Sequence, residues 1–166
     1  MSHLSASTSP EVPSPRLVAS WETLGLLPIE RVPMWAAYWI VGGHNGEALG
    51  RLAGLHGDDP REVHDALAAA LRDCGVEMPD SDATAAAVLF THAARLYVAG
   101  QASPEWVLDE VYSIVTACEE SVMDLPLGGL YAVEAEWAAG WGRSGEELTQ
   151  IVREACEEQL RSGSSA

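Results

Sequence analysis

His56, Asp58, Asp59, Glu62 and His64 crowd into nine residues and are all of types that bind metal. Imidazole and carboxylate together suit zinc or manganese, and such a set could activate water. Several of them have a second use. Asp59-Pro60-Arg61-Glu62 reads as an N-cap, a proline at the first helical position and a capping-box glutamate. Asp58 belongs to the loop before it, and His64 follows Val63 at the edge of an apolar stripe. His92, between Thr91 and Ala93 on an alanine-rich helix, is the remaining candidate general base, although a lone histidine there is more often packed or solvated. His44, beside Gly43 and Asn45, reads as a loop residue. An enzymatic or metal-binding alternative therefore rests on His56, Asp58, Asp59 or His92.

Other catalytic patterns are missing from the sequence. The chain has no lysine, so no phosphate-binding loop of the Gly-Lys-Ser/Thr kind is present. No dinucleotide fingerprint opens from a strand, no nucleophile elbow surrounds a serine, and His-Glu-x-x-His is absent. The pairs Glu119-Glu120, Glu146-Glu147 and Glu157-Glu158 are adjacent on expected helices and point to different sides, so they do not converge as catalytic carboxylates must. Cys74, Cys118 and Cys156 are odd in number and far apart, which fits neither a disulfide framework nor a zinc knuckle. Each is expected as a buried thiol on the apolar side of a helix. The sequence assigns no catalytic residue, cofactor or metal.

Six tryptophans stand out. Trp35 and Trp39 are four apart on one helical face, and suit a core or, as a third expectation, self-association into a homodimer. Trp137 and Trp141 flank Gly140, and Trp141 lies between two glycines, a poor place to bury a large ring. Tryptophan is enriched where binding energy concentrates, so Trp137 and Trp141 are candidate partner-binding residues. Glu119, Glu120, Glu134 and Glu136 are candidates for an acidic rim around them.

Charge narrows the partners. Against 25 acidic residues stand nine arginines, a net of −16. Residues 1–57 carry only −1, from four glutamates and three arginines, so −15 lies in residues 58–166. Such a field repels phosphate backbones and argues against direct nucleic-acid binding. It steers a basic protein partner or keeps the chain soluble. The lack of lysine beside abundant alanine, glycine and arginine looks like the codon bias of a GC-rich bacterial genome. No apolar run approaches the roughly 20 residues of a membrane span, and the first 15 residues lack the pattern of a secretory signal. A cytoplasmic location is expected, with no membrane partner.

These side chains need positioning elements, and helix punctuation supplies them. A helix over Pro60–Cys74 repeats Val63, Ala66, Leu67, Ala70, Leu71 and Cys74 on one face, and Gly75 ends it. A second runs from Ser81 or Asp82 to Ala99, with Gly100 as its stop. Ser103-Pro104-Glu105 opens a third over Pro104–Glu120, and Ser144-Gly145-Glu146-Glu147 opens a fourth over Gly145–Leu160. Short helices are expected after Pro33, over Glu47–Leu55 and around Tyr131–Trp137. Leu67, Leu71, Val111, Ile114, Ile151 and Val152 are expected among the most buried side chains. No period-two alternation calls for a strand. The expectation is an all-α, single-domain bundle of six or seven helices over residues 16–161, with disordered tails at 1–15 and 162–166.

The stretch Leu96-Tyr97-Val98-Ala99-Gly100-Gln101-Ala102-Ser103-Pro104-Glu105-Trp106 resembles the helix–Gly-x-x-Ser-x-Glu–helix junction of small helical bacterial immunity proteins, colicin-immunity-like ones included. Leu125-Pro126-Leu127-Gly128 followed by Glu136-Trp137 is similar to the same class, and the chain as a whole resembles uncharacterised small actinobacterial proteins. The resemblance implies an acidic cytoplasmic protein that binds and blocks a toxin domain. The function expected is thus a non-enzymatic, acidic protein-binding module, immunity- or antitoxin-like, with a basic partner.

Overall fold

A computed structural model describes residues 12–133 and 145–163, and every regular element there is helical. Among the described residues seven α-helices have both ends defined, α1 (Pro15–Leu24), α2 (Val32–Val41), α3 (Glu47–Ala53), α4 (Pro60–Asp73), α5 (Asp82–Val98), α6 (Pro104–Ala117) and α7 (Gly145–Gly163), and residues 131–133 are helical as well. Short 3-10 turns occupy Ile29–Arg31 and Gly128–Leu130, and no strand occurs among the described residues. The all-α fold class holds. The chain divides into two compact units whose boundaries fall after residues 19, 27 and 77.

In the unit that holds α2, α3 and α4, α3 packs on both of its neighbours. The stripe expected on α4 is observed, with Val63, Leu67, Ala70 and Leu71 buried. Asp59 caps α4 by accepting a hydrogen bond from the Arg61 N–H at 3.0 Å. The start of α3 is capped from outside instead. The Asp73 carboxylate, at the end of α4, accepts the Leu49 N–H at 3.0 Å. Gly46 lets that carboxylate close in, because a Cβ at residue 46 would collide with the Asp73 side chain, its Cβ included. Trp35 and Trp39 are turned inward, 6% and 5% exposed, and the Trp39 Nε1–H donates to the Pro13 carbonyl at 2.9 Å.

The other unit is organised around α5, which packs on both α6 and α7. Ala85, Ala86, Ala93 and Ala94 are buried along α5, and small side chains let neighbouring helices come near. Among the described residues Phe90 is the largest fully buried side chain. Gln159, on α7, is buried and polar. Its Oε1 accepts the Leu127 N–H at 3.4 Å and its Nε2 donates to Thr91 Oγ1 at 3.3 Å. One amide thus ties α5, α7 and the loop before Gly128 together. Gly128 is itself packed against the Val122 carbonyl, where a Cβ has no room.

Several boundaries differ from expectation. Residues before 16 do not all lie outside the fold: α1 opens at Pro15, with Ser14 Oγ accepting the Leu17 N–H at 3.2 Å. α6 ends at Ala117 rather than Glu120, because Cys118 takes an extended conformation (φ −82°, ψ 134°). α7 continues to Gly163. Ile151 is half-buried while Val152 is buried, since the inward line of α7 runs through Leu148, Val152, Cys156 and Gln159. Ser144 and the stretch from Glu134 to Trp137 lie outside the described residues.

The borrowed cap on α3 yields the first prediction. Asp73→Ala should destabilise the fold by about 1 kcal/mol, the usual effect of losing a helix cap. Gly46→Ala should destabilise it more, by roughly 2–4 kcal/mol, because the new Cβ displaces the cap and sits on backbone at positive φ. Urea titrations of the two variants and the parent measure both losses.

Candidate functional site

α6 is built with two unlike faces. Val107, Leu108, Val111 and Ile114 are buried on one side. Glu105, Asp109, Tyr112 and Thr116, spaced four, three and four apart, are exposed on the other. Ser103 fixes the start of the helix by accepting the Trp106 N–H at 3.1 Å. Tyr112, 47% exposed, stacks on Tyr131 with ring centroids 5.7 Å apart and planes 11° from parallel. This packing holds both aromatic rings in place at the surface.

The charge of the chain segment that carries this pair is of one sign. Between Leu96 and Val133 there are six acidic residues, Glu105, Asp109, Glu110, Glu119, Glu120 and Asp124, and no arginine or lysine. Glu110 is half-buried, and its carboxyl sits above the ordinary glutamate range because of that burial and the neighbouring charge of Asp109. A cation brought to this face would relieve the repulsion. Within the same unit the chain already pairs a guanidinium with a tyrosine: Arg153 lies 5.8 Å from the centre of the Tyr97 ring.

Of the six partner-binding residues expected from the sequence, Glu134, Glu136, Trp137 and Trp141 lie outside the described residues. Glu119 and Glu120 are exposed, but they lie beyond the end of α6 and form a clasp with the start of α5. The Glu119 N–H donates to Asp82 Oδ2 at 2.8 Å, and Glu120 Oε1 accepts the Ala83 N–H at 2.9 Å. Ser81 accepts the next amide, that of Thr84, at 3.1 Å. The Glu120 carboxylate therefore has a structural task. Tyr112 and Tyr131 were not among the expected residues, although the spacing of Glu105, Asp109, Tyr112 and Thr116 is readable as one outward line.

The residues of the enzymatic alternative do not come together. His56, Asp58, Asp59, Glu62 and His64 are all exposed, and Asp59 is engaged as a cap. His92 is half-buried on α5 and His44 is exposed. Among the described residues no three histidine, cysteine or carboxylate side chains are grouped to hold a metal ion. The expected burial of all three cysteines is corrected for two of them. Cys156 is buried, whereas Cys74 and Cys118 are half-buried because they occupy the C-caps of α4 and α6. Burial pushes the Cys118 thiol up to about 11, reinforced by Asp82 and Glu120. It pushes Cys156 up to about 12, with Glu157 adding and Arg153 opposing. Cys74 is raised by burial and by Asp73. At neutral pH these sulfurs stay protonated, which makes them poor nucleophiles.

Trp35 and Trp39, the residues through which self-association was expected, are 6% and 5% exposed, and the Trp39 indole is hydrogen-bonded to the Pro13 carbonyl. No described helix is long and apolar enough to cross a membrane.

The clasp separates two adjacent glutamates by task. Glu120→Ala should lower stability by about 1 kcal/mol through the lost cap, while Glu119→Ala, whose backbone makes the contact, should leave it nearly unchanged. Thermal melts of the two variants side by side read the difference.

No family model matches this chain, and neither a curated protein nor a solved structure does.

Proposed function

We propose that this chain is a non-enzymatic, cytoplasmic protein-binding module that docks a basic partner protein, in the manner of an immunity protein or antitoxin. The observation that carries the reading is the outward line of α6, where Glu105, Asp109 and Thr116 bracket the stacked Tyr112 in a stretch without a single cation. Acidic side chains steer a basic partner into place and raise its association rate. Tyrosine then holds it, since a large ring with few rotatable bonds loses little entropy on binding and accepts a guanidinium over its face. Glu119, Glu134, Glu136, Trp137 and Trp141 are further partner-binding residues in this proposal. The same charge sign disfavours nucleic acid as the ligand.

Affinity capture with the intact chain from its native cell, followed by mass spectrometry, supplies the partner, and binding kinetics across a salt series test the assignment of roles. Glu105→Gln with Asp109→Asn should slow association and flatten its salt dependence, because exposed charges steer more than they hold. Tyr112→Ala should speed dissociation, with a loss on the order of 2 kcal/mol if it is an anchor. An association rate indifferent to salt, together with a Tyr112→Ala variant that binds like the parent, would reduce the whole face to ordinary surface.

A further inference from the structure

α2, Val-Pro-Met-Trp-Ala-Ala-Tyr-Trp-Ile-Val, is apolar on every side, a pattern normal for a helix buried all round. Only one side is buried, that of Val32, Pro33, Trp35, Ala36 and Trp39. The opposite side presents Met34, Ala37, Tyr38 and Val41, at intervals of three, one and three, which is a single helical stripe. Met34 is 47%, Tyr38 42% and Val41 84% exposed, and Ile40 lies exposed beside them. A contiguous apolar patch of this kind marks an interaction surface.

We infer that this stripe is the contact through which two copies of the chain associate. Charge selects that occupant. Residues 32–46 contain no aspartate, glutamate, lysine or arginine, in a chain of net charge −16. A basic partner finds nothing to pair with here, and an anionic membrane repels the rest of the molecule. Two copies approach with least repulsion through their uncharged zones. The stripe also complements itself. Its four positions are symmetric about the point between Ala37 and Tyr38, so an antiparallel pair about a two-fold axis sets Tyr38 against Ala37 of the second copy. The same axis sets Met34 against Val41 of the second copy. Each contact matches a larger side chain with a smaller one, and a two-fold contact of one patch on itself is the commonest way that homodimers form. Antiparallel helices also oppose their dipoles favourably. One ten-residue helix face covers less than the roughly 800 Å² per partner of a standard interface, so the dimer is weak and in exchange with monomer. This inference is independent of the proposed basic partner, whose docking surface is on α6.

Sedimentation velocity of the full chain, from micromolar to near-millimolar concentration, tests it. The average mass should rise from 17.7 kDa towards twice that value, and added salt should favour the dimer by screening the repulsion between two acidic chains. That is the opposite salt response to the one expected for a basic partner. Val41→Asp and, separately, Met34→Asp should each weaken dimerisation by about tenfold or more, with an unchanged helical circular dichroism spectrum, since both side chains face solvent. A mass of one chain at every concentration and salt would overturn the inference. So would a dimer that neither substitution weakens. Stripe-dependent flotation with neutral phosphatidylcholine vesicles, without self-association, would replace the second copy by a lipid surface and overturn it equally.

Discussion

The start of an α-helix leaves amide hydrogens with no acceptor inside the helix, and the way this chain satisfies them decides which of its carboxylates remain free. Asp59 caps α4 locally, Asp73 reaches from α4 to cap α3, and Glu120 reaches across to α5. Asp82, inside the first turn of α5, closes the same clasp by accepting from the Glu119 backbone. The acidic excess is therefore two populations. One part is bound into helix ends, where the positive end of the helix dipole favours it. The rest is spread over the exposed sides of the helices, and on the outward line of α6 it comprises Glu105, in the first turn of that helix, and Asp109.

That division shapes the functional reading. Had the caps been serines throughout, charge alone would not distinguish one acidic patch from another. Here Glu120 and Asp82 lie in the same unit as Glu105 and Asp109, yet their tasks differ because of what each oxygen touches. The aromatic pair makes the same point by geometry. Trp35 and Trp39 look like anchors by residue type, but their rings complete a core, and the hydrogen bond from Trp39 to Pro13 satisfies the only polar atom of that indole. Tyr112, a lesser anchor by type, is held at the surface by a stacked neighbour.

Much of the fold was legible because its signals are local. Asp59-Pro60, Ser81 and Ser103-Pro104 each place a cap within three residues of the amide it satisfies, and α4, α5 and α6 begin where those signals say. Ser14-Pro15 is the same signal at the start of α1, masked by the serines and prolines before it that read as a tail. What was not legible is long-range. Asp73 acts on an amide 24 residues away, and the clasp that ends α6 early joins positions 37 apart. The inward and outward sides of α2 could not be told apart, because every position is apolar and the period carries no contrast. The acidic line of α6 has that contrast, with charged and aromatic residues opposite Val107, Val111 and Ile114.

The central claim is that α6 carries the free acidic face while the capping carboxylates belong to the fold. Chemical-shift mapping of the ¹⁵N-labelled chain, titrated with a short arginine-rich peptide at low salt, measures this directly. The account predicts perturbations concentrated at Glu105, Asp109, Tyr112, Thr116 and Tyr131, with the amides of Leu49 and Arg61, held by Asp73 and Asp59, left in place. Shifts spread evenly over every exposed carboxylate, or strongest at those capped amides, would contradict it.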